Sequence, residues 1–244
     1  MMRITSTILL SIMAYSGVAF AIGAKDPGRP TWYVDLQVGS YQPRIDSQFE
    51  QSENSTVAPF ESAFGTESSL SIQLGAERHV WSGVGTLSVG LSIGYWSLEG
   101  NAIAANGSED SDATDTTEFV VYPMQLQTTY RIDTWSNYVP LVPIARLGLS
   151  YYYWRILDGG GDTAQFGPGK EAAGGTLGWH ATIGAHLLLD FLDREMAADF
   201  ERDAGVYNSY LTVEYRYARV DDFGAKDSFR LGDETVLIGL AMDL

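Results

Sequence analysis

Cysteine is absent from this 244-residue chain, which excludes a disulfide framework, a thiolate nucleophile and any Cys-ligated metal. Basic residues are scarce. Lys and Arg number 15 against 31 Asp and Glu, a formal net charge of −16. Nucleic-acid binders carry a basic face, so this balance excludes that class, and with it a polybasic adhesion to anionic lipid. No segment reaches 18 consecutive apolar residues, so a bundle of membrane-spanning helices is excluded as well. Disorder is excluded by a hydrophobic content of 45%.

What is present begins with an export pattern. Arg3 gives a positive start, Ile8 to Tyr15 is apolar, and Ala19-Phe20-Ala21 is a small-x-small site. Residues 1–21 are therefore expected to be a signal peptide cleaved after Ala21. Residues 22–30, with Gly and Pro, read as a flexible lead-in, and 31–244 as one domain. An exported chain with no apolar helix is soluble or crosses a membrane with strands.

The rest of the chain alternates with a period of two, which strands produce and helices do not. Val236, Ile238, Leu240 and Met242 share one face and Leu237, Gly239, Ala241 and Asp243 the other. The same pattern recurs around Trp32–Val38, Leu70–Leu74, Leu87–Tyr95, Val120–Leu126, Leu147–Tyr153, Leu177–Leu187 and Leu211–Tyr217. The apolar face is branched or aromatic. Its opposite is mostly Gly, Ser, Thr, Gln and His, where the outer face of a soluble sandwich would carry Lys and Glu. Such a distribution suits an apolar exterior against lipid and small polar groups in a narrow lumen. Trp32, Tyr41, Tyr95, Trp96, Tyr130, Tyr151, Tyr153, Trp154, Trp179, Tyr207 and Tyr217 are expected as an interfacial girdle. Pro123 and Pro143 lack a ladder donor and are placed at bulges or strand ends.

Connections alternate in length. Pro43 to Ser69, Ser97 to Glu118 and Arg155 to Gly175 are long; Glu77 to Gly85 and Arg131 to Pro140 are short. Long extracellular loops and short periplasmic turns are the rule in outer-membrane barrels. The stretch Asp190 to Gly205 breaks it, with Leu192, Met196 and Phe200 at helical spacing. It reads as a short amphipathic helix tucked at the periplasmic rim, capped by Asp190 and Gly205. The expected fold is all-β: an eight-stranded antiparallel transmembrane β-barrel with a short periplasmic helix and both mature termini periplasmic.

The chain also resembles the small, uncharacterised outer-membrane β-barrel proteins described from myxobacteria and their relatives. The likeness is carried by Gly39-Ser40-Tyr41-Gln42-Pro43-Arg44-Ile45-Asp46, Pro59-Phe60, Phe64-Gly65 and Pro140-Leu141-Val142-Pro143. It continues through Gly178-Trp179, Leu187-Leu188-Leu189-Asp190-Phe191-Leu192 and Tyr210-Leu211-Thr212-Val213-Glu214-Tyr215. The resemblance implies a location and a fold and brings no catalytic residue.

Arg146, Glu214, Arg216, His180, His186, Asp35 and Glu77 fall on the inward face. Charges in a narrow lumen need partners, so these residues are expected to form an ion-pair plug, for instance Arg146 with Glu214. A gated polar pathway for small solutes is the alternative. Six residues separate His180 from His186, about 20 Å on one strand, too far to share a metal. Ser150, His180 and Glu214 would make an acyl-hydrolase constellation if they touched. Glu109, Asp110, Asp112 and Asp115 are candidate oxygen ligands for a hard cation, though without the spacing of a Ca²⁺ loop. No cofactor is expected. Partners expected from location are outer-membrane lipids, lipopolysaccharide and the barrel-assembly machinery. The functional expectation is a structural or surface-interaction protein, with a narrow porin-like channel and a lipid-modifying enzyme as alternatives.

Overall fold

A computed structural model describes residues 30–48, 59–65, 68–101, 116–136, 138–167, 169–225 and 228–244. The expected signal peptide, nearly all of the expected lead-in and the candidate cation ligands Glu109, Asp110, Asp112 and Asp115 lie outside these residues.

Eight antiparallel strands close into a barrel. They are β1 (Trp32–Tyr41), β2 (Ser69–Gly83), β3 (Gly85–Asn101), β4 (Thr116–Arg131), β5 (Leu141–Leu157), β8 (Ala173–Leu188), β9 (Asn208–Val220) and β10 (Glu234–Asp243). A two-stranded ribbon, β6 (Gln165–Gly167) with β7 (Lys170–Glu171), stands apart in the β5–β8 connection. β1 pairs with both β2 and β10, which closes the cylinder and leaves no free edge. A 3₁₀ turn (Ile45–Gln48), α1 (Pro59–Phe64) and α2 (Arg194–Ala204) complete the elements.

Side-chain parity follows the alternation read from the sequence. Leu36, Leu74, Leu91, Leu126, Leu149, Ile183, Val213 and Leu240, one from each barrel strand, are all exposed on the outer face. Asp35, Gln73, Gln127, Arg146, His180, Glu214 and Thr235 are buried inside. This inversion of the usual soluble arrangement is the single strongest feature of the molecule.

Several local expectations are corrected. Glu77 to Gly85 is not a loop: β2 runs to Gly83, β3 starts at Gly85, and Val84 alone connects them. A register shift between His79 and Trp81 absorbs the extra residue there. Pro123 sits inside β4. It stays in register with Tyr152 of β5, while its ladder to β3 lapses between the pairs Ile93–Met124 and Trp96–Val121. A missing donor breaks bonds on one side of a strand without shifting the strand. Tyr41 and Trp96 belong to no girdle, because both point inward and are buried. Trp154 packs at 4.6 Å on Phe229 rather than standing at the interface. The N-cap of α2 is Asp193, which accepts from the backbone N–H groups of Glu195 and Met196. Asp190 instead accepts from the backbone N–H of Ser209 at 3.1 Å. Gly205 closes the helix in the left-handed region (φ 70°), where a side chain would be strained. The helix is not tucked against the barrel end, since none of its residues is buried.

β3 and β5 have 17 residues each, about 55 Å of chain and more than a tilted membrane strand of 9–11 residues requires. They and their neighbours rise past the apolar belt at the long-loop end, where their inner faces meet the loops.

Candidate functional site

The lumen is filled in three layers, each set by which inward-facing residues the strand stagger brings level. Its long-loop end is apolar. Tyr41, Trp96, Phe119, Val121 and Tyr152 from the strands meet Ile45, Phe60 and Leu231 from the connections in one buried cluster. The rings of Tyr41 and Trp96 meet edge-on at 4.9 Å. The Tyr41 hydroxyl donates to the Leu231 carbonyl at 2.6 Å. Asp46 holds α1 in the mouth by accepting from the N–H groups of Phe60 and Glu61, both at 2.9 Å. The sequence reading expected a lumen of small polar groups and paired charges, and this aromatic cap is an addition to it. Parity alone placed Trp96 and Tyr152 inward, yet it does not say that loop residues descend to meet them.

The central layer carries the charges. Arg146 of β5 reaches Glu214 of β9 at 3.0 Å, Asp35 of β1 at 3.4 Å and Glu77 of β2 at 3.5 Å. Its other guanidinium nitrogen donates to the Tyr33 hydroxyl at 3.3 Å. Glu77 also accepts from Gln127 and Thr129, both at 2.8 Å. Glu214 takes a second bond from His186 Nε2 at 2.7 Å. Arg216 donates to Gln73 at 2.7 Å and lies 3.8 Å from Asp233 in the β9–β10 connection. Small residues make this crowding feasible. A Cβ on Gly148 would lie 2.6 Å from the His180 ring and 2.3 Å from a β4 carbonyl, so any side chain there displaces the layer.

The third layer closes the end that carries the termini. Arg131 donates to Asp243 at 3.0 Å and stacks 4.3 Å over the Tyr33 ring. Tyr210 donates to the same carboxylate at 2.8 Å, and His79 lies 3.3 Å from it. Tyr33 and His186 stack at 5.8 Å. Arg131, Tyr33 and Asp243 were not singled out from the sequence. Inward parity was a sufficient signal for Tyr33 and Asp243, whereas Arg131, read as the start of a short connection, is the last residue of β4.

The candidate residues are thus partly brought together. Arg146, Glu214, Asp35, Glu77 and His186 form one network, while Arg216 and His180 lie in a neighbouring part of the lumen. Ser150 and His180 share a hydrogen bond of 2.9 Å. Glu214 is bonded to His186 rather than to His180, whose Nε2 has no partner. Ser150 and His180 are both buried, so the acyl-hydrolase constellation neither assembles nor opens to a substrate. Among the described residues, no group of three or more His, Asp or Glu is arranged to hold a metal ion. A cavity lined by Asp35, Gln73, Arg146, Glu214 and Arg216 has a volume of about 10 Å³, roughly the space of one water.

No family model matches the sequence, and no curated protein matches it. Solved barrels are similar to it in shape. Neisserial surface protein A aligns at 12% identity and a TM-score of 0.46, over 87% of this chain and 97% of its own. The outer membrane protein OprG from Pseudomonas aeruginosa aligns at 10% identity and a TM-score of 0.46, over 89% and 97%. Ail, the attachment invasion locus protein of Yersinia pestis, solved with the heparin analogue sucrose octasulfate, aligns at 9% identity and a TM-score of 0.41, over 89% and 99%.

Proposed function

We propose that this chain is an outer-membrane β-barrel with a structural or surface-interaction role and a closed lumen. The long connections face the outside and both mature termini face the periplasm. One observation carries the reading: every barrel strand exposes apolar side chains outward, while the buried charges lie inside. In water that exterior would be unstable, whereas against hydrocarbon it is the favoured surface. The small cavity, the ion pairs around Arg146 and the aromatic cap support a structural role over a solute pathway. Phospholipid, lipopolysaccharide and the assembly machinery are the partners this location supplies. Binding to an outside ligand would fall to the long connections.

The test is direct. Membrane-extracted protein is expected to migrate faster unheated than boiled in detergent gels, as closed barrels do. Mature protein that stays monomeric and folded in plain buffer would overturn the membrane assignment. In planar bilayers the folded protein is expected to give no discrete conductance steps, and reproducible steps would restore the channel alternative. An epitope placed at Gly160, in the long β5–β8 connection, is expected to be reached by antibody on intact cells. Access only after lysis would reverse the orientation.

A further inference from the structure

Between β8 and β9 lies an apolar surface that none of the described residues buries. α2 buries none of its residues. Met196 and Phe200 are 60% and 45% exposed, and Leu192 just before them is 69% exposed. Met196 and Phe200 share one side of the helix, with Glu195, Glu201 and Arg202 turned away from it, and Leu192 precedes it in the turn before the cap. A solitary helix of 11 residues is marginal in water even when capped at both ends. Its apolar side therefore needs a covering.

The neighbouring rim indicates what supplies it. Leu211, near the start of β9, belongs to the exposed apolar belt. The rest of this end repeats the pattern: Trp81 at the end of β2 with Val84 in the connection after it, and Trp135 and Tyr138 in the connection between β4 and β5, all exposed. Trp32 and Leu244 continue it at the termini. The rim is an apolar collar, and α2 belongs to the connection between β8 and β9. Its base is pinned there, because the Leu189 N–H donates to the Ser209 carbonyl at 2.8 Å and Asp190 accepts from the Ser209 N–H at 3.1 Å. The helix carries four acids, Glu195, Asp199, Glu201 and Asp203, against Arg194 and Arg202, and Asp203, seven residues past Met196, borders the apolar side. That balance disfavours anionic headgroups and suits zwitterionic ones.

We propose that α2 lies flat in the headgroup–acyl boundary of the leaflet at the terminal end, with Met196 and Phe200 turned into the acyl chains of zwitterionic lipid. This rests on the membrane assignment above, and the test separates the two. Because the chain has no cysteine, Met196→Cys, Phe200→Cys, Glu195→Cys and Leu91→Cys each give a unique labelling site. Each full-length mature variant is labelled with an environment-sensitive fluorophore and folded into phosphatidylcholine vesicles. Fluorescence is read with nitroxide on the acyl chains, or with iodide in the water. Labels at 196 and 200 are expected to lose at least half their emission to acyl nitroxide and little to iodide, with the opposite at 195. Iodide quenching at 196 and 200 equal to that at 195, with Leu91→Cys still acyl-quenched, overturns the inference alone. Oxidative dimers of Met196→Cys would assign the surface to a second copy and overturn it too. Loss of acyl quenching at Leu91→Cys would bring down the membrane assignment itself.

Discussion

Arg146 is one cation among three acids. Its guanidinium spreads charge over Glu214, Asp35 and Glu77 because its planar fork presents several donors at once. Replacing it with Met leaves three buried carboxyl groups facing one another, and breaking a buried pair from one side costs about 3–5 kcal/mol. Arg146→Met is expected to lower the unfolding free energy of the vesicle-folded barrel, read from the shift of its urea midpoint, by that order. Arg146→Lys is expected to recover only part, since a point charge cannot reach all three acids. Outside the strands, burial raises the Asp190 carboxyl above the ordinary carboxylate range, against the bond from Ser209. The nearby Asp243 adds repulsion of the same sign. A raised native pKa means the folded state binds the proton more tightly. The stability this contributes is complete below the unfolded value and is lost as pH rises through the native one. Asp190→Asn keeps an oxygen for Ser209 and removes the charge. It is expected to match the native protein in acid and exceed it in urea resistance at neutral pH.

α2 draws its local definition from its two ends rather than from packing against the barrel. Asp193 satisfies two orphan N–H groups and Gly205 supplies the left-handed stop. Asp193→Ala is expected to cost the helix about 1 kcal/mol, and Gly205→Ala a similar amount through backbone strain alone. Hydrogen exchange should therefore quicken over residues 194–204 in both variants. Exchange in the strands should stay unchanged, because α2 buries nothing against them. Matching acceleration in β8 and β9 would show that the helix braces the barrel. Elements also show where sequence patterns mislead. Ordinary proline rules placed Pro123 at a strand end or bulge, yet β4 runs through it. Sixteen residues of strand, held on the other side by β5, outweigh one lapse in the ladder to β3.

At the scale of the molecule the lumen is shut twice, by the aromatic cap and by the charged layers beneath it. The two closures share no side chain. Trp96→Ala, which empties the largest ring of the cap, is expected to cost about 3–5 kcal/mol while leaving the bilayer conductance at zero. Conduction in that variant would mean that the charged layers do not seal. The barrel itself was legible from the chain. A pleated strand sends successive side chains to opposite faces, so the period of two fixed the strands, their outward residues and the inward position of Arg146, Glu214, His180 and Asp35. It also gave the existence of α2, because a four-residue recurrence interrupts the alternation there. Parity is a property of the local backbone and needs no partner. Which inward residues lie level is another matter, set by strand order and stagger across the closed cylinder. Arg146 and Glu214 are 68 residues apart, and the register of β8 on β9, which sets Glu214 opposite Gly184, decides that Glu214 takes His186 rather than His180. The aromatic cap, too, exists only once long connections fold back into the mouth, a burial that no local pattern encodes.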